Sequence, residues 1–176
     1  MKKFILMAVM ALSSLAASAQ LYVGGSVDLS LRDTKVGKAD SYSTTSFSVA
    51  PEIGYNINKE FAVGLGIGYS TTKVGNADAV GDFFVSPYLR YTFFHGRPCN
   101  VFADAFFRYD SFDPGSNGWE FGIRPGLAFN LGANWTMTAT TTLFSYGQAG
   151  EDPNKVKTTT FKFTPSNVAL GFYYNF

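Results

Sequence analysis

Val168-Ala169-Leu170-Gly171-Phe172-Tyr173-Tyr174-Asn175-Phe176 ends the chain with a large apolar residue at every even position and Ala, Gly, Tyr or Asn between them. Successive side chains of a β-strand point to opposite faces, so this stretch has one wholly apolar face and one mixed face. The pattern recurs upstream. Ala62-Val63-Gly64-Leu65-Gly66-Ile67-Gly68-Tyr69 alternates small residues with large apolar ones, and Ile123 to Phe129 sets apolar odd positions against Arg124, Gly126 and Ala128. Alternation over about ten residues per segment is what a bilayer-spanning strand requires, with lipid outside and a polar interior.

Turn signals divide the chain into eight such segments, about 21–31, 44–55, 61–72, 80–94, 100–110, 118–131, 135–147 and 159–176. The connections after the odd segments are longer and rich in Gly, Asp, Asn, Ser and Lys, whereas those after the even ones are as short as Gly132-Ala133-Asn134. Short periplasmic turns alternating with longer outer loops belong to an all-β fold, the eight-stranded antiparallel up-and-down transmembrane β-barrel. Both termini then lie on the periplasmic side.

Met1-Lys2-Lys3, the apolar run from Phe4 to Leu15 and the small-residue pattern Ala17-Ser18-Ala19 read as a secretory signal peptide over 1–19, leaving 20–176 as the barrel domain. A net charge of +1 gives no reason to expect a nucleic-acid partner. The remainder has no apolar run near the roughly 20 residues of a transmembrane helix, so strands must carry any membrane role. Alternation also explains a mean hydropathy of only +0.03 in a chain with 17% aromatic residues. Cys99 is the only cysteine, which excludes an intramolecular disulfide and a thiolate metal cluster.

The lipid register includes Val27, Val49, Leu65, Leu89, Phe107, Ile123, Leu127 and Leu143 and contains no charge. Aromatic residues gather at the segment ends, where interfacial girdles are expected. The opposite register carries Asp28, Glu52, Arg90, Asp104, Arg108, Glu120 and Arg124 among glycines and threonines. An eight-stranded barrel is just wide enough to be filled by side chains. The seven charges are therefore expected to form a lumen ion-pair network that plugs the barrel, since a partner left alone in a confined interior is costly.

Gly64, Gly66 and Gly68 alternate with apolar residues and no helix pattern follows, so they read as space for larger lumen side chains rather than a phosphate loop. Pro51, Pro87 and Pro125 recur in similar frames on the even segments and are expected to mark bulges or bends, as is a parity slip near Pro165. His95 is the only histidine and falls in a periplasmic turn, so no histidine stands near the outer rim to act as a general base, and no enzymatic activity is expected. Asp110, Asp113 and Asn117 in the third outer loop could offer oxygens to calcium, but they match no defined loop motif and read as turn residues. No metal or cofactor is expected.

Gly171, Phe172, Tyr174 and Phe176 resemble the assembly signal of outer-membrane proteins, an upstream glycine with alternating aromatics and a terminal phenylalanine. With the eight strands, the chain resembles the small outer-membrane β-barrel family, the OmpA/OmpX-like group. That resemblance implies recognition by the barrel-assembly machinery and a location in the outer membrane, with no particular activity. The expected partners are outer-membrane lipid and lipopolysaccharide; the basic and acidic residues of the first and fourth loops, Arg32, Asp33, Lys35, Lys38 and Asp40, then Glu151, Asp152, Lys155 and Lys157, could meet lipopolysaccharide phosphates or host ligands or form a solvated surface, and the expected state is a monomer. The expected role is envelope structure or surface interaction through the outer loops. Two alternatives are a low-conductance porin-like channel and a soluble lipocalin-like barrel with its faces inverted.

Overall fold

A computed structural model of the chain describes residues 20–35, 41–75, 79–112, 117–132, 134–149, 156–161 and 168–176. The signal-peptide segment, Asp113, Pro165 and the side chains of the first and fourth outer loops lie outside the described residues. The strands are β1 Leu21–Lys35, β2 Ser41–Asn56, β3 Phe61–Val74, β4 Val80–His95, β5 Cys99–Phe112, β6 Asn117–Gly132, β7 Trp135–Thr140, β8 Phe144–Ala149, β9 Val156–Phe161 and β10 Ala169–Asn175.

These ten elements make an eight-stranded closed barrel. From β1 to β6 each strand pairs antiparallel with the next. β7 and β8 both lie along β6 as the two halves of the seventh barrel strand, and β9 and β10 pair with them as the halves of the eighth. The ring closes where β10 meets β1, from Tyr22 opposite Asn175 to Asp28 opposite Ala169. Most strands run a few residues beyond the sequence reading at their outer ends, because ladder pairing continues past the apolar alternation.

Val27, Val49, Leu65, Leu89, Phe107, Ile123 and Leu127 are exposed on the outside, whereas Glu52, Asp82, Asp104 and Asp110 are buried within. This arrangement overturns the inverted, lipocalin-like alternative. Aromatic contacts ring both ends: Trp135, Tyr174 and Phe176 pack edge-on in sequence near the short turns, and Trp119 stacks on Phe121 towards the long loops.

The prolines behave differently from the sequence expectation. Pro51 opposes Gly25 and Pro87 opposes Leu65 in unshifted ladders, and the next seam resumes with equal residue numbers on both strands. Lacking an N–H, each proline interrupts one ladder without adding a residue. Of these three prolines, Pro125 alone has an extra residue beside it: Gly126 opposes Thr140 and Ile123 opposes Phe144, so two residues of β6 face three of the seventh strand. There Thr141 and Leu143 donate their N–H groups to the carbonyls of Pro125 and Ile123. Parity therefore reverses between Thr140 and Ser145, both facing the lumen, and Leu143 sits at the break rather than in a continuous lipid-facing row. In the last strand Phe161 opposes Phe144 and Ala169 opposes Thr140; the parity slip expected near Pro165 falls on residues 162–167, outside the described residues. Further irregularities follow Thr92 and Asn130, and there both Phe93 and Phe94, and later Leu131, turn outward at the periplasmic rim.

Candidate functional site

The barrel interior is the part of the molecule where charged groups are concentrated away from water. Its composition follows from register. Arg90 opposes Asp104, and Asp104 opposes Arg124, so one carboxylate stands between two guanidinium groups on adjacent strands. Arg90 donates from Nε and Nη2 to the two Asp104 oxygens at 2.8 and 3.0 Å, and Arg124 Nη2 lies 3.4 Å from Oδ2. Asp104 is fully buried. The Arg90 guanidinium lies over the Phe102 ring at 3.9 Å, so its flat face is covered while its edge is paired.

Two tyrosines reach across the lumen beside this cluster. The Tyr22 and Tyr88 hydroxyls are 2.9 Å apart, joining β1 to β4, and the Tyr173 hydroxyl donates to Glu52 at 3.0 Å. Glu52 accepts a second bond from Ser26 at 2.7 Å. Space for these rings comes from glycines. A Cβ added at Gly54 would collide with the Tyr22 ring and one at Gly64 with the Tyr88 ring. Gly64→Ala is accordingly expected to lower stability by about 1–3 kcal/mol through overpacking, measured as a lower urea midpoint in detergent micelles.

Above the tyrosines the pairing differs from the sequence reading. Arg108 opposes Glu120 in the ladder but bonds instead to Asp82, at 2.9 Å, and Asp110, at 2.5 Å. Asp82 also accepts from Ser70 at 2.6 Å. Of the seven expected charges, the structure thus brings Arg90, Asp104 and Arg124 together, gives Glu52 hydroxyl partners, and sends Arg108 to two aspartates outside that set. The side chains of Asp28 and Glu120 have no ion pair or hydrogen bond among the described residues. Asp82 shares the register parity of Arg90, and Asp110 that of Arg108, which is the signal that would have found them. Asp110 consequently faces inward and is not free for the loop cluster with Asn117.

Two vestibules lie on either side of the tyrosine and arginine layer. The outer one, about 710 Å³, is lined by hydroxyls and by charges including Asp28, Asp82, Arg108 and Glu120. The periplasmic one, about 450 Å³, is lined by asparagines together with Lys59, His95 and the undersides of Tyr22 and Tyr173. His95 Nε2 donates to the Lys59 carbonyl at 2.7 Å, a contact between two turns. Among the described residues no cluster of His, Cys, Asp and Glu is arranged to hold a metal ion.

A closed ring of strands, apolar outside and charged within, defines an integral membrane β-barrel. The chain belongs to the outer membrane protein β-barrel domain family, which matches residues 4–176, and it resides in the outer membrane. Neisserial surface protein A has a similar fold, with 17% identity, a TM-score of 0.56, and coverage of 89% of this chain and 97% of that one. OprG of Pseudomonas aeruginosa aligns with 13% identity, a TM-score of 0.48 and coverage of 89% and 94%, and a de novo designed transmembrane β-barrel with 12%, 0.45, 90% and 96%. No curated protein matches the sequence.

Proposed function

We propose that the protein is a non-enzymatic structural component of the outer membrane whose lumen is closed to solutes and whose outer loops meet lipopolysaccharide. The supporting observation is the continuous layer of Tyr22, Tyr88, Arg90, Phe102, Asp104 and Arg124, bonded across the interior from several strands. Such a layer stiffens the barrel and leaves the loops as the part able to meet partners. His95 supports the non-enzymatic reading, since its ring is engaged with a backbone carbonyl at the periplasmic rim.

Assembly is proposed to use the last strand. Phe172 and Phe176 are exposed on the outer face, where assembly machinery can read them, while Gly171 faces inward against Thr138 and Tyr173. Replacing Phe176 by alanine is expected to slow assembly and leave more unfolded protein in the periplasm, measured by pulse-chase and heat-dependent gel mobility. The envelope role is tested by deleting the gene. Sensitivity to detergent and to large antibiotics should rise and return to normal when the protein is restored; an unchanged barrier in the deletion strain would contradict the proposal.

A further inference from the structure

The periplasmic vestibule has a composition that closure of the lumen does not require. Among its described lining residues are five asparagines, one lysine, one arginine and one histidine, and no carboxylate. Asparagine is depleted in strands, and at strand ends it usually serves a turn. Three of these instead occupy lumen register: Asn56 opposes Ala62, Asn100 opposes Ala128, and Asn130 opposes Thr136. Of their small partners, Ala128 lines the vestibule, while Ala62 is buried against Tyr22 and Tyr173.

The other two amides are structural. Asn134 and Asn175 each donate to the other's backbone carbonyl, and Asn175 also donates to Thr136 Oγ1. The side-chain amides of Asn56, Asn100 and Asn130 have no such partner among the described residues. Lys59 stands at the mouth in a turn that is fixed twice. Asn58 Oδ1 accepts the N–H groups of Glu60 and Phe61 at 2.8 and 2.7 Å, and His95 bonds the Lys59 carbonyl. The floor is Phe102 and Tyr173 with Arg90, while Asp104, fully buried, and Glu52 lie outside the lining.

We propose that this vestibule binds a small, hydroxyl-bearing organic anion from the periplasm, of the size of a sugar phosphate. The three unpaired amides offer donors and acceptors to hydroxyls, Lys59 supplies positive charge at the mouth, Arg90 is already paired with Asp104, and no carboxylate among the described lining residues opposes an anion. This goes beyond the closed-lumen reading and does not depend on it, because the amides and Lys59 that would hold the anion stand at the periplasmic end whether or not the lumen beyond is closed.

The test is a titration of the folded barrel in detergent micelles with glucose 6-phosphate, followed by NMR of the asparagine side-chain NH₂ groups, with glucose as the uncharged control. Shifts of Asn56, Asn100 and Asn130 that saturate with the phosphate ester, and need far higher glucose, are expected. Lys59→Gln should weaken binding about tenfold, the loss of one charge-assisted contact. Asn130→Asp, isosteric at an exposed position, should weaken it at least as much by placing a carboxylate in the pocket. Unmoved resonances, equal response to glucose, or unchanged affinity in Asn130→Asp would each overturn the proposal. Channel recordings do not enter this test, so its failure is separable from failure of the closed-lumen reading.

Discussion

Asp104→Ala should be the most damaging single change in the barrel interior, costing about 3–5 kcal/mol, the magnitude found when one partner of a buried ion pair is removed. The loss is larger than that of one bond because Asp104 is fully buried and serves both Arg90 and Arg124. Its removal leaves two guanidinium groups facing each other on strands adjacent to the empty position. Asp104→Asn keeps an acceptor for Arg90 but removes the charge, so it should fall between wild type and alanine. Urea unfolding in micelles, followed by the fluorescence of Trp119 and Trp135, measures both. An alanine variant as stable as wild type would mean that the arginines find other partners, with Glu120 the nearest unpaired carboxylate on the strand of Arg124.

Ile123→Arg should have the second largest effect, about 2–4 kcal/mol for a cation on the lipid face near the bilayer midplane. Ile123 lies midway along β6, opposite Ala105 on one side and Phe144 on the other, and about half of its surface is exposed outward. The variant should show reduced outer-membrane yield and a smaller fraction of the heat-modifiable folded band. Arginine at the neighbouring lumen position is already native, as Arg124, so the contrast isolates the face and not the residue type. Normal assembly of Ile123→Arg would contradict the face assignment.

The faces were legible because a period of two cannot be mistaken over segments such as Phe61 to Tyr69, where every second residue is glycine or alanine. Strand number followed from the turns. What alternation could not foresee was interruption. Thr140 and Thr142 read as a continuation of the lumen-facing Thr136 and Thr138, yet the extra residue beside Pro125 reverses the strand there. Threonine suits either face, so the slip shows only beyond the threonines, where Phe144 and Tyr146 take even positions after the odd Trp135 and Met137. Pro51 and Pro87 suggested the same irregularity and do not have it, because a missing N–H can be absorbed by one open seam.

Ion pairing was legible in its neighbours but not in its choices. Arg90, Asp104 and Arg124 stand at matching ladder positions, which the segment boundaries nearly fix. Arg108 had Glu120 directly opposite and takes Asp82 and Asp110 instead, since a long guanidinium reaches diagonally and along its own strand. The periplasmic vestibule was not legible at all. Its asparagines come from strands far apart in sequence, and only closure of the barrel brings them to one mouth.

The closed lumen is the central claim, and single-channel recording of the purified barrel in planar bilayers tests it most directly. Wild-type protein should give no regular conductance steps, while the double variant Tyr22→Ala, Tyr88→Ala, which removes the hydroxyl bridge and both rings, should open them. Regular steps from wild-type protein, unchanged in the double variant, would contradict the account and point to a channel.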